Sequence, residues 1–140
     1  MSSLFSKIID GELPGHFVWK DDVCVAFLSI GPIKPGHTLV VPRAEVDHWL
    51  DLEPEVVAHL SKVSQSIGRA LFRVHEPLKV ATLIAGLEVP HVHVHVFPIW
   101  ELADVDFKNA ATDVSSEDLA REAEKLKNEL RHLGYSETAD

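Results

Sequence analysis

The run HVHVHVFP, residues 91–98, sets histidine at every second position with valine between. A two-residue period with unlike partners belongs to a strand whose two faces meet different surroundings. The β-branched Val92, Val94 and Val96 suit a packed face, so His91, His93 and His95 are expected together on the other. Pro98 has no amide hydrogen and is expected to close the strand, bounding it to about 92–97.

Three readings of the row compete. A solvated surface strand is the plainest, but histidine is not a favoured strand residue and no other polar residue interrupts the alternation. A metal site needs ligand nitrogens ~2.0–2.1 Å from one ion, whereas the outer two histidines are rooted roughly 13 Å apart at ~3.3 Å per residue. Only an adjacent pair converges easily, and a third ligand would come from elsewhere. The third reading is covalent chemistry on phosphorus. A neutral imidazole can attack a phosphoryl or nucleotidyl group and carry it. Its neighbours can stabilise charge on the phosphate oxygens and protonate a leaving group.

The flanks favour a phosphate-handling pocket. Gly86, in IAGLEVPH, lets a backbone amide approach a ligand closely, and Pro90 fixes the turn into the strand. Upstream, PIKPGHTLVVP combines a Pro35-Gly36 turn with a buried strand over 38–41, which puts His37 at the mouth of that strand.

PGHTLVVP, then helix and strand, then AGLEVPHVHVHVFP resembles the histidine triad family of nucleotide hydrolases and transferases. FSKIIDGELPGHFVWKDDVCVAFLSI is similar to the same family's entry segment, so the likeness runs from Leu4 to Trp100. Its general look is that of bacterial members related to the purine nucleoside phosphoramidases. The resemblance implies that His93 is the nucleophile on the α-phosphate and that His95 binds phosphate oxygens and assists the leaving group. It makes His91 a support of the network, which His37 completes. His95 stands where the transferase branch tends to have glutamine, which points toward hydrolysis. The nucleotide-binding residues it implies are Leu4, Phe5, Ile8, Leu13, Phe27, Leu28, Ser29, Leu39, Gly86, Glu88 and Val89. Read singly, the apolar ones are ordinary core. A purine nucleotide substrate such as an AMP derivative, a homodimer joined sheet edge to sheet edge, and the absence of a cofactor are implied by resemblance alone.

The chain also departs from the family. Ser29 stands where an acidic ribose partner is common, Val80 where an asparagine often meets phosphate, and Leu87-Glu88 where a glutamine-serine pair is usual. Glu88 beside an anionic phosphate is unfavourable unless it faces away or meets an amine. The histidine chemistry is untouched by these changes, but they open a second reading, a nucleotide-binding or signalling module with little turnover. A zinc-binding subset of the family carries Cys-x-x-Cys near its start and a histidine after the second strand. Ser3, Ser6 and Glu45 occupy those positions here, and His48 lies three residues further on, so no structural zinc is expected.

Composition agrees with a small cytoplasmic enzyme. The chain has 140 residues, enough for one domain with a core, and opens without an apolar run suited to a leader or membrane span. Cys24 is the single cysteine, which excludes a disulfide within the chain and reads as a small buried apolar residue. A formal charge of −9 argues against a nucleic-acid binder. The acidity is concentrated after residue 100, where 11 acidic residues face 5 basic ones.

Periodicity gives the organisation. A short helix over 4–9, a hairpin of 17–19 and 23–28, the strand over 38–41, a turn or helix around 44–50, a long helix over 55–74 started by Pro54, and strands over 79–85 and 92–97 follow in order. The fold class is therefore α+β, an antiparallel sheet of about five strands with one long helix. Residues 1–100 read as the catalytic domain and 101–140 as an extension that is not an independent domain. Within it, 101–114 has no period and is expected to wander over the surface. Ser115 or Ser116 can cap a helix over about 116–133, whose stripe Leu119, Ala123, Leu126, Leu130 and Leu133 should dock on this chain or a partner before Gly134 ends it.

Overall fold

The computed structural model of the chain describes residues 2–140. Strands β1 (Phe17–Lys20), β2 (Cys24–Leu28), β3 (Thr38–Pro42), β4 (Lys79–Leu83) and β5 (Val94–Ile99) form one sheet in the order β1-β2-β3-β5-β4. Every neighbouring pair is antiparallel. Helices α1 (Leu4–Ile9), α2 (Pro54–His75) and α3 (Ser116–His132) complete the fold. The α+β class, the long helix and the C-terminal helix are borne out.

Side-chain alternation divides the sheet between two clusters. Cys24, Ala26 and Leu28 of β2 join the main core, where Leu60, Val63, Ile67 and Leu71 of α2 pack beside Leu119, Ala123, Leu126 and Leu130 of α3. Val25 and Phe27 point the other way, into a thin cluster with Phe5 of α1 and Leu39 and Val41 of β3. The histidine row lies on this thinner side. Pro54 opens α2 and the Ser115 hydroxyl caps α3 by accepting from the Asp118 amide at 3.1 Å. Gly36 adopts φ +91° beside α2, and a Cβ there would sit 2.6 Å from a Leu71 methyl, so only glycine fits the turn that presents His37.

Three strand boundaries differ by two residues from the sequence reading, and the other strand boundaries by one at most. β5 begins at Val94 rather than Val92 and runs through Pro98 to Ile99. The Val92 amide donates to the Val46 carbonyl at 2.8 Å, so His91 and His93 lie in an extended approach outside the ladder and only His95 lies within it. Pairing with β3 ends at Val96, so Pro98 stands where β5 is already an edge, a place that tolerates proline. β4 ends at Leu83, not Ala85.

The largest correction concerns residues 101–114. They form two single 3₁₀ turns, Leu102–Asp104 and Phe107–Asn109, too short for any hydropathy period to reveal. Farther on, the Lys20 amide donates to the Glu137 carbonyl at 2.9 Å and the Ala139 amide to the Val18 carbonyl at 3.0 Å. The chain's last residues thus cover the β1 edge, while the β4 edge has no partner among the described residues. No helix among them is long and apolar enough to cross a membrane.

Candidate active site

Hydrogen-bond chemistry fixes the tautomer of each histidine. His91 is fully buried, and its Nε2 lies 2.7 Å from the Pro42 carbonyl oxygen. A carbonyl only accepts, so that nitrogen carries the hydrogen and Nδ1, 2.7 Å from the Ser3 hydroxyl, accepts from it. His93 Nδ1 lies 2.8 Å from the His91 carbonyl oxygen, which puts the hydrogen on Nδ1 and leaves Nε2 with an unshared lone pair. The Ile33 amide donates to His37 Nδ1 at 3.0 Å, so His37 donates through Nε2 to His95 Nδ1 at 2.9 Å. His95 therefore carries its hydrogen on Nε2. The row ends with one outward lone pair, on His93, and one outward N–H, on His95, their ring centroids 4.9 Å apart.

Burial keeps the rings of His37, His93 and His95 neutral. It lowers His37 to about 3, with the His95 and His93 charges adding to the effect. Burial, then His93, lowers His95 to about 4. His93 is also lowered, first by burial, although its bond to the His91 carbonyl works the other way. A nucleophile needs the bare nitrogen, and this environment supplies it.

The apolar residues expected around a nucleotide divide by strand alternation. Phe5 stands edge-on to His93 at 4.9 Å and meets Phe27 at 5.5 Å, while Leu39 is buried in the same cluster with Ile8 and Val89 against it. Leu28 does not join them. One residue beyond Phe27 on β2, it faces the opposite side of the sheet and packs in the main core. Leu4, Leu13 and Glu88 are exposed, and Gly86, which adopts φ +77°, is half-buried. Ser29 bonds within its own loop, its hydroxyl accepting from the Gly31 amide at 3.2 Å, next to the buried His37.

Sequence reasoning missed Phe107. Its ring meets His95 at 4.8 Å and 66°, so the segment expected to wander reaches the row instead. The Asp106 carboxylate, which accepts from the Lys108 amide at 2.9 Å, was the one local signal of a turn.

The zinc-ligand positions of the family's metal-binding subset come together here as something else. The Ser3 amide and Ser6 hydroxyl donate to Glu45 Oε1 at 2.5 and 2.7 Å, and the Ser3 hydroxyl donates to His91. Those bonds hold the Glu45 carboxyl below its usual range. Two hydroxyls and one carboxylate do not make the nitrogen and sulfur donor set zinc prefers, and direct bonds fill the place between them. Elsewhere, Asp21, Cys24 and His59 are close enough to share an ion. Asp21 there already accepts from the Trp19 indole, the Val23 and Cys24 amides and His59, while burial and Asp21 push the Cys24 thiol far up, away from a thiolate ligand.

Comparison with known proteins gives the site its context. The HIT-domain family profile matches residues 10–102. An uncharacterised HIT-like protein of Borreliella burgdorferi is 36% identical over 112 residues, covering 75% of this chain and 81% of its own. An adenosine 5′-monophosphoramidase of Schizosaccharomyces pombe is 33% identical over 102 residues, 70% of this chain and 74% of its own. The crystal structure of a zinc-bound histidine triad family protein from Mycobacterium smegmatis superposes with a TM-score of 0.82 at 27% identity, covering 95% of this chain and 96% of that one.

Proposed function

The chain belongs to the HIT-domain family, and on that premise we propose that it is a nucleotide hydrolase or nucleotidyl transferase acting through a covalent nucleotidyl-histidine intermediate. Its substrate is a nucleoside monophosphate joined through phosphorus to an amine, a second phosphate or another leaving group, an AMP derivative by preference. The observation that carries the reading is the tautomer pattern, a bare nitrogen on His93 beside a donor on His95.

His93 Nε2 attacks the α-phosphorus, and a phosphorus–nitrogen bond forms. The bond to the leaving group breaks, and the electron pair stays on the departing nitrogen or oxygen. His95 Nε2 gives that atom its proton. The negative charge this leaves on His95 is balanced by the positive charge of the phosphorylated His93 ring, whose Nδ1 keeps its hydrogen, until water restores both. Water then attacks the phosphorus, His95 takes the water's proton, and His93 is released. His37 accepts from Ile33 and so keeps its donor aimed at His95 throughout. His91 holds His93 through its carbonyl. Phe5, Ile8, Phe27, Leu39 and Val89 supply an apolar wall for the base.

Residues 101–140 act as an extension rather than a domain of their own, a division supported by the burial of the α3 stripe in the main core. A homodimer through the open β4 edge goes with this reading. Beside that edge, a groove between α2 and the sheet exposes Trp49, Phe72, Leu78 and Ile84. A cytoplasmic location is part of the same proposal.

Intact mass after rapid mixing with adenosine 5′-phosphoramidate tests it. An adenylyl adduct on the wild type and none on His93→Ala is the expected result. No adduct and no AMP from the wild type sinks the enzyme reading and leaves the nucleotide-binding module, which the apolar Val80 and Leu87 would then favour.

A further inference from the structure

Phe107 belongs to no element that carries a histidine, yet its ring rests against His95 while 45% of its surface stays exposed. Nearly half of the residue still meets water, so its position is not the one that burial alone would choose. Nor is it a slack side chain on a loose loop. Asp104 accepts from the Trp100 and Glu101 amides at 2.7 and 3.0 Å and pairs with Lys34 at 3.2 Å. The Asn109 side chain donates to the Ala103 carbonyl at 3.0 Å, and the Ala111 amide to the Pro32 carbonyl at 2.9 Å. The turn is therefore tied to the loop that leads into His37, and it holds an aromatic ring half open beside the proton donor.

We propose that Phe107 is a specificity-determining residue for the leaving group, favouring amines and alcohols that carry a flat aromatic body. This rests on the phosphoryl-transfer reading above, in which His95 Nε2 protonates the departing atom. An atom that receives a proton from His95 departs beside it, and the body attached to that atom meets the ring at His95's side. Edge-to-face or offset contact between rings is worth roughly two- to tenfold beyond area. A methyl or hydrogen substituent forgoes that gain.

The test compares kcat/KM for adenosine 5′-phosphoramidates of benzylamine and of methylamine, each measured on wild type, Phe107→Ala and Phe107→Tyr. Taking the ratio of the two substrates on one preparation cancels any loss of folded protein. The benzyl preference is expected to fall about fivefold in Phe107→Ala and to return in Phe107→Tyr, which keeps the ring. An unchanged ratio in Phe107→Ala overturns the inference and leaves the catalytic reading standing. Absence of a nucleotidyl adduct on the wild type with either compound overturns the catalytic reading itself, and this inference with it.

Discussion

His91 and His95 sit at opposite ends of one row, and their surroundings differ in kind. Both nitrogens of His91 are bonded, one to the Pro42 carbonyl and one to the Ser3 hydroxyl, which also caps α1 by accepting from the Ser6 amide at 3.0 Å. His95 has one nitrogen bonded to His37, and its ring is met by that of Phe107 with 4.8 Å between centroids. A ring whose two nitrogens are saturated inside the protein can only hold position. A ring with one N–H left over can act on something that arrives. Identical side chains four residues apart thus take unlike roles because the polar chain ends at one of them and not at the other.

The sharpest way to test that contrast is to remove the reactive nitrogens. His93→Ala is expected to lose at least about 10³-fold in kcat, since no other bare imidazole nitrogen stands in the row. His95→Ala should lose roughly 10²–10³-fold with an amine leaving group. With p-nitrophenyl AMP, whose phenolate departs without a proton, the His95→Ala loss should shrink markedly. An equal loss on both substrates would remove the proton-donor role and leave His95 as a phosphate ligand.

At the saturated end the effect should fall on stability instead. Ser3→Ala leaves the buried His91 Nδ1 without a donor and is expected to cost about 1–3 kcal/mol, read from urea unfolding. Its kcat/KM should fall less than that of either reactive histidine. A drop in kcat/KM with stability unchanged would reverse the contrast and make His91 a participant in the chemistry.

Acid should strain the reactive end through burial. His37 at about 3 and His95 at about 4 lie well below the ordinary histidine value of 6.5, so the unfolded chain binds more protons in the interval between. Stability is therefore full above about pH 6.5 and is lost as the pH falls from there through the folded values. Unfolding midpoints measured from pH 7 down to pH 5 should decline, and less steeply in His37→Gln. The acid limb of kcat/KM should likewise fall below the ordinary histidine range, because His93 is held down by burial.

The row itself was legible because alternation is a local signal and valine and histidine are so unlike. So were the stripes of α2 and α3, whose periods run over 22 and 17 residues. The thin cluster behind the site needed strand phase as well as composition. Phe27 and Leu28 look equally apolar in sequence, yet adjacent positions on β2 face opposite ways. Bonds between distant residues left no trace of any period. Ser3 meets His91 across 88 positions, and the Phe107 turn reaches the row from beyond the strand it touches. Hydropathy cannot report a contact made by one aromatic residue in a three-residue turn.

The smallest expected effect lies in how firmly that turn is held. Asp104→Asn keeps an oxygen to accept from the Trp100 and Glu101 amides but removes the charge that pairs with Lys34. The ring of Phe107 should remain near His95 while sampling more positions, because the backbone bond from Ala111 to Pro32 persists. Benzyl over methyl preference should then fall by about twofold, less than in Phe107→Ala. A Lys34→Met variant should match it, since either change breaks the same pair. If both variants keep the wild-type preference, the backbone bonds alone set the ring, and the ion pair contributes nothing to the open end of the row. If either loses as much as Phe107→Ala, the turn is held mainly by charge, and the selectivity of this end becomes sensitive to salt in a way the hydrogen-bonded His91 end is not.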